Sequence, residues 1–203
     1  MKIMLAMPIG ESKLEEQTYD GYGLDKIEKN ILSIKGLDPK DVYIFSDRPI
    51  RTRFNNQIIN QEYLKKLNTP FMVKCDNPIL MNITLAREAA REFFLKSDYD
   101  AILFLDSDIE VQPDILIKLK AAVEDDAGTL IASNLYPPDY STKQLGCSLI
   151  LREALEYINF VAYSKDTNTV GEDWHFIRMA ELLGIPIRLE RFSDVKHHSW
   201  AYK

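Results

Sequence analysis

Apolar residues fall in short unbroken runs separated by longer stretches with helical spacing. Ile3–Ile9 is such a run, closed by Gly10, and Val42–Phe45 is a second, ending in Ser46 and Asp47. Ala101–Leu105 is the purest, five apolar residues followed at once by Asp106, Ser107 and Asp108. Runs of this kind suit strands buried on both faces of a parallel sheet. Shorter ones at Phe71–Val73, Leu130–Leu135, Cys147–Leu151 and Ile185–Leu189 read as further strands. Between them, Ile27, Ile31 and Ile34 share one helical face in Asp25–Ile34, and Gly36 stops that helix. A short helix is expected at Gln61–Leu67, broken by Pro70, and a long one at Ile79–Lys96. In the long helix Ile83, Ala86, Ala90, Phe93 and Phe94 point inward, with Arg87, Glu88 and Arg91 elsewhere. Pro113 and Asp114 open another helix carrying Ile115, Leu116, Leu119 and Val123. The last two helices are expected from Arg152 to about Phe160 and from Glu172 to Leu183. In the final helix Trp174, Ile177, Met179, Leu182 and Leu183 form the inner face, and Gly184 closes it. Glu11–Tyr22, the segment around Arg51, Arg53, Asn55 and Asn56, Tyr136–Gln144 and Ser164–Thr169 read as loops.

Strands alternating with helices predict an α/β fold with a mostly parallel, Rossmann-like central sheet flanked by helices. A length of 203 residues fits a single domain, 1–203, with a core that needs no disulfide staples. The net charge of −6 lacks the basic footprint of broad nucleic-acid binding. Cys75 and Cys147 have neither metal-site nor disulfide-framework spacing, which favours a reducing compartment. The opening Met1–Pro8 run is too short for a signal peptide and no stretch approaches a bilayer span. The expectation is therefore a cytoplasmic protein, with peripheral membrane contact left open.

In open α/β sheets ligands bind beyond the carboxyl ends of the strands. Asp106 and Asp108 sit at such an end, where alternating carboxylates suit a hard divalent cation that bridges to phosphates. Asp residues also favour strand exits and helix starts for structural reasons alone. The strand that precedes this pair makes the metal reading the stronger one. Glu172 and Asp173 begin a helix and complement its dipole, yet Asp173 is also placed to act as a general base. Trp174 beside it offers a surface for a sugar ring. His197 and His198 are a tail pair, and imidazole is a sound ligand for manganese-type ions. Asp47 and Arg87 gain meaning only if both reach the carboxyl edge, where Arg87 would meet a phosphate or base.

Taken in order, the strand ending at Pro8, the strand ending at Asp47, the Arg87 helix and the strand ending in Asp106-Ser107-Asp108 resemble the GT-A glycosyltransferases, family 2-type enzymes especially. Glu172-Asp173 and a late histidine complete the resemblance, which runs from Ile3 to His198. It implies a GT-A fold whose 1–110 half binds a nucleotide-sugar and whose 111–203 half carries the acceptor and catalytic groups. It implies a UDP- or GDP-sugar donor touched by Pro8, Asp47, Arg87, Asp106, Ser107 and Asp108. It implies Mn2+ or Mg2+ held by Asp106, Asp108 and either His197 or His198. Asp173 matches the catalytic base of inverting members, and Glu172 and Trp174 fall on the acceptor side. The acceptor itself, a glycan, lipid or protein, is not specified. Glu88 stands where many members carry Asn, which leaves donor contacts there open.

Three rivals use the same residues. A haloacid dehalogenase-type phosphatase also places Asp-x-Asp after a buried strand, but near the N-terminus and before a different turn. A nucleotidyltransferase of related fold usually has a Gly-rich basic loop after the first strand, and Pro8–Ser12 lacks repeated glycines. A non-catalytic nucleotide-sugar-binding protein with a vestigial site remains, though keeping Asp106, Asp108, Asp173 and a histidine together makes it less economical.

Overall fold

The computed structural model describes residues 1–9, 23–46, 49–59, 78–125, 128–136, 144–165 and 168–198. Seven strands form the central sheet: β1 (Ile3–Ile9), β2 (Val42–Ser46), β3 (Asn56–Ile59), β4 (Ala101–Leu105), β6 (Ile131–Asn134), β7 (Cys147–Leu151) and β10 (Ile187–Glu190), in the order β10-β6-β7-β4-β1-β2-β3. β1 pairs in parallel with β2 and β4, β2 with β3, and β6 with β10. β7 is antiparallel to both its neighbours, β4 and β6, so it alone runs against the sheet. Two small ribbons stand apart: β5 (Ile109–Val111) with β11 (Val195–His197), and β8 (Tyr163–Lys165) with β9 (Asn168–Val170).

The helices are α1 (Leu24–Ser33), α2 (Pro78–Leu95), α3 (Ile115–Glu124), α4 (Arg152–Tyr157) and α5 (Glu172–Leu182). Every position of β1 is buried, as its unbroken apolar run requires. Its alternate residues feed two separate cores. Ile3, Leu5, Met7 and Ile9 join Ile27 and Ile31 of α1 and Ile115, Leu116 and Leu119 of α3. Met4 and Ala6 join Ala86, Ala90 and Phe94 of α2, Leu155 of α4, and Phe176 and Ile177 of α5. The sheet is thus covered on both faces, and β1 lies between the first crossover to β2 and the later one to β4. That reversal makes the carboxyl ends of β1 and β4 a topological switch point, the place where an α/β sheet has its ligand crevice. Pro8 lies there, beyond the last β1–β4 register pair, Ala6 with Phe104.

Several elements depart from the sequence reading. Asn56, expected in a polar loop, opens edge strand β3, which the sequence reading did not foresee. The Asn56 amide donates to the carbonyl oxygens of Lys40 and Val42, and Gln57 bonds both the N–H and the C=O of Ile50. Ser164–Thr169 falls in the β8–β9 ribbon rather than a plain loop. α4 stops at Tyr157, which frees Phe160 to stack between the core rings of Phe104 and Phe176. The phase of α5 also differs. Glu172, Phe176, Ile177 and Ala180 face inward, whereas Trp174, Leu182 and Leu183 are exposed. On α2, Arg87 and Glu88 are buried among alanines rather than turned outward. Each is buried against ionic or hydrogen-bonding partners, which is the condition on which charged groups enter a core. The expected helix at Gln61–Leu67, the strand at Phe71–Val73 and the loops at Glu11–Tyr22 and residues 137–143 lie outside the described residues. Among those described, no helix is long and apolar enough to cross a membrane.

Arg152 fixes the turn that joins α2 to β4. Its guanidinium donates to the carbonyl oxygens of Phe94, Leu95, Ser97 and Tyr99 and lies 4.6 Å from the Phe94 ring centroid. Carbonyl oxygens at a helix end lack partners within the helix, and here the arginine gathers two of them, Phe94 and Leu95, together with two from the turn that follows, Phe94 also accepting from Ser97. Arg152→Ala is expected to cost about 2–3 kcal/mol, the scale of hydrogen bonds to a charged group, as a lowered midpoint in urea unfolding.

Candidate active site

At the carboxyl end of β4 the chain turns through Asp106, Ser107 and Asp108 before entering β5. The Asp106 N–H donates to the Gly146 carbonyl (2.8 Å), and the Ile109 N–H donates back to the Asp106 carbonyl (3.1 Å). β5 then pairs antiparallel with β11, with Ile109 opposite His197, and the His198 N–H donates to the Asp108 carbonyl (2.8 Å). This ladder brings two residues far apart in the chain together at the sheet edge: His197 Nε2 is 3.8 Å from Asp108 Oδ2. The His197 ring also lies against Tyr136, with centroids 5.6 Å apart. His198 points elsewhere, buried with its Nε2 3.0 Å from Glu110 Oε2. Of the two tail histidines, the structure therefore brings His197 to Asp108 and His198 to Glu110.

Next to this pair stands Arg87. Its guanidinium is 1% exposed and meets three carboxylates. Nη2 grips both oxygens of Asp106 (2.9 and 3.0 Å), while Nη1 reaches Glu172 Oε1 (3.1 Å) and Asp173 Oδ1. Asp173 is held from its other side by the Leu145 N–H, which donates to Oδ2 (2.9 Å). One cation thus fixes the end of β4 and the first turn of α5 relative to each other, and Leu145 adds the segment before β7. Burial works against the charge on Arg87, but Asp106 and Glu172 outweigh it and raise its pKa. Glu172 moves upward because burial favours its neutral form and Arg87, shared among carboxylates, only partly offsets it. Burial, reinforced by Asp106, likewise pushes the Tyr136 hydroxyl well up, so it stays a neutral phenol.

The expectations for Arg87 and Glu172 need correcting. Arg87 does not present a free guanidinium to a phosphate, because Nη1 and Nη2 are committed to Asp106, Glu172 and Asp173 and its Nε is buried without a partner among the described residues. Glu172 is buried against that arginine and does not line an acceptor surface. Trp174 is 49% exposed immediately after Asp173, so its ring is available at the rim. Ser107 is buried within the turn, Pro8 lies at the end of β1, and Asp47 falls outside the described residues. Tyr136 and Gly146 were not singled out from the sequence. A Cβ at Gly146 would collide with the Asp106 carboxylate and the Tyr136 hydroxyl, so only glycine allows that approach. A glycine opening a strand carries no such signal in one dimension.

Among the described residues no cluster of three or more His, Cys, Asp or Glu side chains could by itself enclose a metal ion. Asp108 and His197 do form a two-donor set, a carboxylate oxygen and an imidazole nitrogen. That chemistry suits a manganese-type ion whose remaining ligands come from a phosphate substrate and water. Asp106 is committed to a bidentate ion pair with Arg87 and stands behind them.

The fold defined by this sheet, its covering helices and the acidic carboxyl edge is that of the GT-A glycosyltransferases. Sequence comparison finds no matching family model and no matching curated protein. Solved structures do match. A mycobacterial protein is 14% identical, with a TM-score of 0.60 over 97% of this chain and 67% of that one. Glucosyl-3-phosphoglycerate synthase from Mycobacterium tuberculosis, in complex with Mn2+, UDP-glucose and phosphoglyceric acid, is 13% identical, with a TM-score of 0.59 over 97% of this chain and 71% of that one. A197 from STIV is 19% identical, with a TM-score of 0.50 over 89% and 78% of the two chains.

The raised Glu172 pKa has a signed consequence. The folded state holds that proton to higher pH than the unfolded chain, so its stabilising contribution is complete below the ordinary glutamate value. It is then lost as pH rises through the raised value. Glu172→Gln keeps an acceptor for Arg87 but removes the titration. Urea unfolding across that window should show wild-type stability declining with pH and a flatter profile for the variant.

Proposed function

We propose that this chain transfers a sugar from a nucleoside-diphosphate donor to an acceptor hydroxyl, as a metal-dependent glycosyltransferase. The observation that carries the reading is the placement of Asp108 and His197 side by side at the carboxyl edge, beside the crevice between β1 and β4. In this reading residues 1–110 form the donor half and residues 111–203 the acceptor and catalytic half. UDP-sugars are the first donors to try, since glucosyl-3-phosphoglycerate synthase was solved with UDP-glucose and Mn2+; GDP-sugars come next.

Asp108 and His197 would hold the divalent ion, Mn2+ or Mg2+, which when bound neutralises the charge that develops on the diphosphate leaving group. Asp106, locked by Arg87, borders the ribose and phosphate side of the crevice. Pro8 and Asp47, from the ends of their strands, would approach the nucleotide, and Ser107 holds the turn between the two aspartates. Arg87 acts through other residues, fixing Asp106 and Asp173 at one spacing.

Asp173 is the proposed base. Its Oδ2 accepts from the Leu145 N–H and its buried Oδ1 lies in the ion pair with Arg87, and a carboxylate has about four lone-pair sites, so acceptor capacity remains. It would take the proton of the acceptor hydroxyl as that oxygen attacks the anomeric carbon opposite the diphosphate. The product then has inverted configuration. General-base assistance of this kind contributes roughly 10²–10⁴-fold. Trp174, exposed at the rim, offers a face to a sugar-bearing acceptor.

Two experiments test the reading. Thermal unfolding with UDP-, GDP- or dTDP-sugars, each with and without Mn2+, should show metal-dependent stabilisation by one nucleotide. That stabilisation should vanish in Asp108→Ala and His197→Ala but survive in His198→Ala. No stabilisation under any condition would instead favour a phosphatase or a vestigial site. Asp173→Asn should retain nucleotide binding and lose transfer by about 10²-fold or more. NMR of the wild-type product should show inversion at the anomeric carbon; retention would remove Asp173 from the role of base.

A further inference from the structure

The Asp108–His197 pair depends on a two-stranded ribbon, β5 with β11, that belongs to neither edge of the main sheet. Three-residue strands in an isolated pair are marginal in water, so something else must hold this one. The structure supplies two asparagine side chains, one for each strand.

Asn30 of α1 bonds both peptide groups of Val111. Its Nδ2 donates to the Val111 carbonyl (2.8 Å), and its Oδ1 accepts from the Val111 N–H (3.1 Å). A side-chain amide has the same donor and acceptor as a peptide group, so Asn30 stands in for one residue of a third strand along β5. Asn134, the last residue of β6, treats the approach to β11 in the same way. Its Oδ1 accepts from the Ser193 N–H (2.8 Å), and its Nδ2 donates to the Ser193 carbonyl (3.2 Å). Asn134 is fully buried, so these bonds also meet the demand of a polar group that has no access to water. Val111 closes β5, two residues after Ile109, and Ser193 lies two residues before β11 begins. The ribbon is therefore tied to α1 through one strand and to β6 through the other, and its far end presents Asp108 and His197.

We propose that Asn30 and Asn134 are positioning residues for the Asp108–His197 pair: two amide clamps that set its spacing by locking the ribbon carrying it. The inference rests on the metal-site reading above. Without the clamps each strand is free to shift on its own, and the two donors lose their common position. Binding of the metal weakens before the fold is lost. Asn56 is the natural control. It also bonds backbone, its Nδ2 donating to the carbonyl oxygens of Lys40 and Val42, but at the opposite end of β2 from the crevice.

The test reads binding without turnover, by following the EPR signal of free Mn2+ during titration of protein with UDP present. Asn30→Ala and Asn134→Ala should each weaken Mn2+ binding by about 10-fold, the low end for residues that orient ligands from outside. Asn56→Ala should lower the melting temperature to a similar extent and leave Mn2+ binding as in the wild type. Should the alanine variants not fold, Asn30→Ser and Asn134→Ser keep a short uncharged side chain able to bond backbone, with a smaller loss of binding expected. Clamp variants that unfold earlier but bind Mn2+ within about twofold of wild type, or an Asn56→Ala variant that weakens binding as much as they do, would overturn the inference. Asp108→Ala and His197→Ala separate the two levels. If neither loses Mn2+, the metal-site reading falls and this inference with it; if both do while the clamp variants bind normally, only the clamps are rejected.

Discussion

A single buried cation organises the candidate site. Arg87 projects from α2 into a space reached by the end of β4 and the start of α5, and its guanidinium binds a carboxylate from each of three positions. Burying such a charge is costly unless it is paired, and removing one partner of a buried pair costs more than the pair itself contributes. The arrangement is therefore all or none. With Arg87 in place, Asp106 and Asp173 are held at a set spacing. Without it, three carboxylates face one another in a poorly solvated pocket. The same contact explains the rotation of α5, since Glu172 must face Arg87 and Phe176, Ile177 and Ala180 then follow inward.

Against that rigid cluster the Asp108–His197 pair is built by different means. It depends on backbone pairing between two short strands and on side-chain amides that extend the pairing. One half of the site is held by charge in a buried pocket, and the other by hydrogen bonds in a ribbon outside the main sheet. A donor with a diphosphate would span the two. The ribbon is the softer half, because its bonds are neutral and each is individually worth little. Tyr136 touches both halves, lying near Asp106 on one side and packed at a tilt against the His197 ring on the other.

The resemblance to GT-A enzymes is carried by the order of motifs along the chain, and the match to solved structures is carried by the fold. At 12–19% identity the likeness carries the fold and not the reaction. What argues for chemistry is local to this chain: a carboxylate and an imidazole placed together at an edge where such sheets bind ligands. Arg87 and Glu172, read from the sequence as ligand contacts, form an internal ion cluster in the structure.

Strand positions were legible in one dimension because a strand buried on both faces must be apolar throughout, as β1 and β4 are. The alternation with helices then required a parallel sheet, and Asp106 and Asp108 marked its ligand-binding edge. Asp173 and the histidine pair could be named as candidates for the same reason, their residue types at element ends. The choice between His197 and His198 could not be read. It depends on the register of β11 on β5, and neighbouring strand residues point to opposite faces. Burial of Arg87 was equally hidden, since an arginine among alanines on a helix reads as solvated until three carboxylates from distant segments converge on it. Asn30, Asn134 and Gly146 have no sequence signature at all, because what each does is set by a backbone tens of residues away. The local pattern determined which elements form and which edge matters; only their packing decided which side chains meet there.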